Sequence, residues 1–232
     1  MRAYRYLNLI SAVFVTVLII SNIIAVKIGS FGSAFLPVAV ILFPISYIFG
    51  DVLTEVYGYA RARQVIWTGF ACNLLAVIAI GLGGLIPAAP FWNAGLYNSP
   101  DAAQKAYDAI LGFTPRLLVA SFIAYLVGEF LNSLVLAKLK LITAGKFLWV
   151  RTIGSTLVGQ LADSGIFITI AFVGVLPSEN LSPLIVTQWL FKCIYEVIAT
   201  PLTYALVAYL KRAENEDHYD RSTDFNPLKL SP

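Results

Sequence analysis

The sequence predicts an all-α integral membrane protein, a bundle of six transmembrane helices with both termini in the cytoplasm. Three observations carry that expectation. Only 12% of the residues are charged while 59% are hydrophobic, far below the roughly 25% charge of a soluble domain. The apolar residues gather into six runs, each close to the ~20 residues that cross a bilayer as a helix. Twelve of the sixteen Lys and Arg residues fall on one side of those runs, and basic residues near helix ends stay cytoplasmic.

The first run, Tyr6 to Val26, follows Arg2 and Arg5. It is too long for a signal-peptide core and lacks an A-x-A cleavage pattern, so it reads as a retained span. The second, Ala34 to Tyr57, carries Pro37 and Pro44, which mark places for a kink or break. Gln64 to Ile86 is the third. Residues 87–115 form the longest loop, expected outside, with Phe91, Trp92 and Tyr97 suited to the headgroup region. Arg116 to Leu139, Thr152 to Leu176 and Pro183 to Leu210 complete the set, the last interrupted by Pro201. Residues 1–212 are thus one membrane domain. Residues 213–232 form a polar tail whose composition predicts disorder.

Several chemistries are excluded at once. Cys72 and Cys193 lie in apolar runs without metal-ligand spacing. The sole histidine, His218, is in the tail, so no His-based nucleophile couple, haem ligand or H-E-x-x-H site exists in the spans. No G-x-x-x-x-G-K-[ST] loop is present to bind ATP. The expectation is a protein that is not an enzyme and uses no cofactor or metal. Its partners are the lipid bilayer and a small molecule, not nucleic acid.

Charged residues inside spans cost about 2.5 to 3.5 kcal/mol each at a helix centre, so they face the bundle interior or a water-filled cavity. Residues four apart share a helix face. By that spacing Tyr47, Asp51 and Glu55 form one seam, and Ser121, Tyr125, Glu129 and Ser133 a second. Arg151, Ser155, Gly159 and Asp163, with Gln160, form a third, and Gln188, Lys192, Glu196 and Thr200 a fourth. Four polar seams avoid lipid most simply by converging on one cavity. Ser155 and Gly159 also form a small-x-x-x-small pair suited to close helix packing. Lys192 and Glu196, at i and i+4, could form an ion pair, and Asp163 has no cation at helical spacing, so it should be neutral or paired.

Carboxylates, a lysine, Gln160 and Gln188, with Tyr47, Tyr125, Tyr195, Phe43 and Trp189 nearby, suit a flat ligand rich in hydrogen-bond donors. Proton relay or cation binding by the same groups stays open on these grounds.

Three motifs narrow the choice: Y-I-F-G-D-V-L-T-E-V-Y-G-Y-A-R-A-R from Tyr47 to Arg63, R-T-I-G-S-T-L-V-G-Q-L-A-D-S from Arg151 to Ser164, and K-C-I-Y-E-V-I-A-T-P-L-T-Y from Lys192 to Tyr204. In this order they resemble the queuosine precursor transporters, also known as the YhhQ-type or vitamin uptake family. The resemblance implies a six-helix inner-membrane uptake transporter for 7-cyano-7-deazaguanine, with 7-aminomethyl-7-deazaguanine as a further substrate, serving tRNA queuosine modification. Matching by motif position, and adding residues from the same polar seams, gives the candidate binding set Asp51, Glu55, Glu129, Arg151, Ser155, Gln160, Asp163, Lys192, Tyr195 and Glu196. The alternative is the substrate-binding subunit of an ATP-driven uptake complex of the energy-coupling-factor type. A homodimer and an added energising subunit both stay open.

Overall fold

A computed structural model describes residues 4–31, 34–112, 115–174 and 177–229. Arg2 and Leu176, and the side chains of Pro37, Phe43, Pro44 and Arg116, lie outside the described set. Helix α1 (Leu7–Ile24) leads into an antiparallel hairpin of β1 (Ile28–Phe31) and β2 (Ala34–Pro37), followed by a 3-10 turn over Val38–Ile41. Then come α2 (Phe43–Tyr57), α3 (Tyr59–Leu85), α4 (Pro100–Leu111), α5 (Pro115–Ile142), α6 (Leu148–Phe172) and α7 (Ser178–Glu214). Helices α1, α3, α5, α6 and α7 are long and apolar enough to cross a membrane. The chain is therefore a multi-pass helical membrane protein.

The second apolar run departs from expectation. A single helix from Ala34 is replaced by the hairpin and 3-10 turn, and α2 begins only at Phe43. Proline explains the boundary: Pro44 sits in the first turn of α2, where its missing N–H is harmless, whereas a helix reaching back past it would clash with the ring. Fifteen residues at 1.5 Å each give about 22 Å, short of a ~30 Å hydrocarbon core. Pro201, in contrast, interrupts nothing, and α7 runs through it and Pro183 to Glu214. Within the loop expected outside, Ser99 Oγ accepts from Ala102 N at 3.2 Å and caps α4, with Pro100 opening its first turn.

Short α2 is the hub, packing against α1, α3, α5 and α7. Its Val52, Leu53 and Val56 are fully buried and form a core with Ile10, Phe14, Ala62 and Leu210. Large apolar residues such as Leu75, Ile78 and Leu82 on α3 and Ile194, Ile198 and Leu202 on α7 remain exposed, the lipid-facing pattern of a bundle in hydrocarbon.

The two chain ends meet. The backbone N–H groups of Arg5 and Tyr6 donate to Glu214 at 3.0 and 2.6 Å, and the Tyr57 hydroxyl donates to the same carboxylate at 3.0 Å. The start of α1, the end of α2 and the end of α7 thus share one face of the bundle.

The segment after Glu214 folds back onto the helix ends. Asp220 accepts from the Tyr59 backbone N–H through both oxygens, at 3.1 and 3.0 Å, and so caps α3. Farther along α3, Arg63 donates to the carbonyls of Asp224 and Asn226 at 2.8 Å each, and Trp67 Nε1 donates to Pro227 O at 2.8 Å. The partners of this segment are helix ends distant in sequence. Gly58, between α2 and α3, has φ +84, and a Cβ there would fall 2.1 Å from the His218 ring. Glycine lets the tail close over that turn.

Candidate functional site

Two glycines bring the polar seams of α5 and α6 together. A Cβ on Gly128 would lie 2.8 Å from the Asp163 Cβ, and one on Gly159 would lie 2.8 Å from the Asn132 Cβ and 2.9 Å from Gly128 O. Gly159 therefore has the packing role its small-x-x-x-small motif predicts. Close approach of these backbones sets Glu129 and Asn132 beside Gln160 and Asp163.

From there the residues link across helices. Asp163 on α6 pairs with Lys192 on α7. Lys192 also engages the Tyr47 hydroxyl of α2, and Glu129 of α5 lies within electrostatic reach of Asp163 and Lys192. The cation for Asp163 thus comes from a neighbouring helix, and the i to i+4 pair of Lys192 with Glu196 does not form. Asp51 of α2 accepts from Asn132 Nδ2 at 2.8 Å, and Glu196 is its strongest charged neighbour.

What distinguishes this middle region is incomplete pairing. Asp51 Oδ2, Asn132 Oδ1, Gln160 Oε1, Gln188 Oε1 and both oxygens of Glu196 are buried with no hydrogen-bond partner among the described residues, as are the hydroxyls of Ser133 and Ser164. Glu196 is only 1% exposed. Leaving such groups unsatisfied costs about 1 to 3 kcal/mol each. Buried polar atoms without partners are rare in native proteins and call for a function.

The other sequence-predicted residues lie elsewhere. Glu55, fully buried, receives Arg151 as a two-pronged pair at 2.8 and 3.1 Å. Lys211 reaches the same carboxylate at 2.7 Å, and Lys140 Nζ donates to Glu55 O at 2.6 Å. Both lysines also hold Asp217 of the tail, at 2.6 and 2.8 Å. This cluster ties α2, α5, α6, α7 and the tail together, and each of its three cations and two carboxylates has a partner of opposite sign. Ser155 donates to Thr152 O at 2.9 Å within its own helix, and Tyr195 packs half-buried against the core. One convergent cavity holding all ten candidates is therefore not what the structure shows: Glu55 and Arg151 stand apart from Asp51, Glu129, Gln160, Asp163, Lys192 and Glu196.

Sequence reasoning missed Asn132, Lys140 and Lys211. Each had a periodic signal, since Asn132 is three residues beyond Glu129, Lys140 is seven beyond Ser133, and Lys211 lies four beyond the buried Val207 of the α7 seam. Asp217 had none. Among the described residues, no group of three or more side chains converges to hold a metal ion.

A family model described as Putative vitamin uptake transporter matches residues 37–206, a stretch that contains the middle cluster and most of the charged one. The chain belongs to the vitamin uptake transporter family. That family is one of transporters, not enzymes. This member is 34% identical over 158 residues to a "Probable queuosine precursor transporter" of Bacillus subtilis (strain 168), a match covering 67% of the chain and 64% of the relative. A protein of the same printed name from Haemophilus influenzae (strain ATCC 51907 / DSM 11121 / KW20 / Rd) is 25% identical over 171 residues, covering 71% of the chain and 65% of that relative. The chain spans just under two thirds of the length of the curated relatives it matches. No solved structure matches it.

Proposed function

We propose that this chain is an inner-membrane uptake transporter for queuosine precursors, 7-cyano-7-deazaguanine and its 7-aminomethyl relative, feeding tRNA modification. One observation carries the reading: the fully buried carboxylate and amide atoms of the middle cluster that lack a partner among the described residues are all acceptors. A deazaguanine ring offers the complement, an N–H beside an exocyclic amino group, and a carboxylate accepts such a pair through two parallel bonds. Asp51, Gln160, Asp163, Lys192 and Glu196 form the binding face, with Glu129 behind them and Tyr47 and Tyr195 flanking. Glu55 and Arg151, with Ser155 one turn farther along α6, close the cytoplasmic end. The two relatives named as queuosine precursor transporters support this substrate class.

In this reading α2 is the sixth crossing, completed by the hairpin and 3-10 turn. Irregular backbone at membrane depth survives only where protein or a water-lined cavity covers it, and broken helices recur at transporter binding sites. Both termini are cytoplasmic, and a cysteine placed at Asn98 should react with an impermeant thiol reagent in intact cells. Labelling only after lysis would overturn the orientation.

The function is tested in cells unable to synthesise the base, which should regain tRNA queuosine when supplied with 7-cyano-7-deazaguanine and expressing this chain. Success in a host without any energising ATPase subunit makes the chain a self-sufficient transporter. Success only with such a subunit makes it the binding component of an ATP-driven complex, and failure with both removes the substrate assignment.

A further inference from the structure

Charge accounting around Glu196 leads beyond the substrate. Helix α7 packs against α6 and α2. From α2 the ionisable groups are Tyr47, Asp51, Glu55 and Tyr57, and from α6 they are Arg151 and Asp163. Away from its exposed side α7 itself adds Lys192, Cys193, Tyr195, Lys211 and Glu214, and α5, packed on α2 and α6, adds Tyr125, Glu129 and Lys140. Every cation in that set is committed: Arg151 to Glu55, Lys140 and Lys211 to Glu55 and Asp217, and Lys192 to Asp163. Helix α1 contributes no charge.

Asp51, Glu129, Asp163 and Glu196 therefore share Lys192 alone. If all four were ionised, three negative charges would stand uncompensated among buried groups. The effective penalty for a buried ion is several kcal/mol, and such groups escape it by taking up a proton. Asp163 has the lysine, and Asp51 has the Asn132 amide on one oxygen. Glu196 is the most buried carboxylate with neither, since both of its oxygens lack a donor among the described residues. In that place the neutral carboxylic acid is the favoured form, and the anion needs a donor to stabilise it.

We propose that Glu196, with Asp51 beside it, is a proton-binding site that couples movement of the solute to movement of a proton. The proton enters from outside onto a Glu196 oxygen, giving the neutral acid. It leaves to the cytoplasm after the solute, regenerating the carboxylate, so one positive charge crosses with each neutral solute molecule and no other bond changes. Coupling of this kind rests on the transporter reading above, but occupancy of Glu196 by a proton does not.

Two measurements test it. In purified protein at neutral pH, the infrared band of protonated carboxyl groups should be present in the wild type and reduced in Glu196→Gln, with the amide band confirming an intact fold. If that variant does not fold, Glu196→Asp should keep the band at a shifted position. An unchanged band in Glu196→Gln overturns the proposal. In proteoliposomes, an inward proton gradient should raise accumulation of 7-cyano-7-deazaguanine at least tenfold over the no-gradient control, and a protonophore should abolish the gain. Uptake indifferent to the proton gradient, or driven by sodium instead, overturns the coupling. A band lost on mutation with no uptake of the deazaguanine would support the proton site and sink the substrate reading alone.

Discussion

The bundle holds two ionic clusters that share a helix and follow opposite rules. At the end where the tail docks, Glu55 gathers Arg151, Lys140 and Lys211, and Asp217 pairs with both lysines, so that no charge is left without a partner. One turn away along α2, Asp51 keeps one oxygen unpaired, and Glu196 keeps two. Burial is similar, for Glu55, Asp51 and Glu196 are each at most 1% exposed. Pairing separates them. A fully matched buried cluster fixes an arrangement of helices, whereas a partly matched one holds free energy that a ligand can release.

The comparison breaks first at Glu55. Glu55→Leu strands a guanidinium and a buried lysine, and removing one partner from such a cluster costs about 3 to 5 kcal/mol. Detergent-solubilised protein should melt far below the wild type or fail to accumulate. A small shift would mean that the cluster is hydrated and not structural. Glu196→Leu should do the reverse, since it deletes two unsatisfied oxygens worth about 1 to 3 kcal/mol of desolvation. An unchanged or higher melting temperature with uptake lost is the expected pair of results, and a drop as deep as that of Glu55→Leu would erase the distinction.

A smaller effect belongs to the tail. Asp220→Ala removes the cap of α3, about 1 kcal/mol, and should speed proteolysis of residues 216–229. Its pH dependence has a definite sign. Burial pushes the Asp217 and Asp220 carboxyls up, but hydrogen bonds prevail and hold both below the usual carboxylate range: from Lys140 and Lys211 for Asp217, and from His218, Thr223 and the Tyr59 N–H for Asp220. Their contribution is present above about pH 4 and is lost as pH falls through the lowered values. His218, its Nε2 3.6 Å from Asp220, is raised by that carboxylate against the opposing effect of burial. Its contribution is complete below about pH 6.5 and is lost as pH rises through the raised value. Tail protection should therefore peak between roughly pH 4.5 and 6.5, and Asp220→Ala should flatten the alkaline limb.

The contrast between clusters also shows what a sequence reveals. Periodicity placed Asp51, Glu129, Asp163 and Glu196 on inward faces because hydrocarbon admits no other place for them, and five of the six expected spans appear as helices of crossing length. Spacing along one helix could not assign partners across helices. Lys192 therefore invited a pairing with Glu196, four residues on, yet it reaches Asp163 on α6. The docked tail was equally invisible, because Asp217 and Asp220 answer to Lys140, Lys211 and the N-terminus of α3, positions that only tertiary structure brings near. The proline-set start of α2 was half legible: Pro37 and Pro44 marked a break, and the hairpin that fills it left no periodic trace.

The central claim is that the middle cluster binds the solute while the tail-end cluster holds the fold, and Asp163→Asn tests it most directly. Asparagine keeps the size of the side chain but loses its charge and exchanges one acceptor for a donor, and a hydrogen bond to a charged group is worth about 1.5 to 3 kcal/mol. At normal membrane abundance, uptake of 7-cyano-7-deazaguanine should fall at least tenfold and ligand-induced thermal stabilisation should vanish. Near-wild-type values for both would contradict the account.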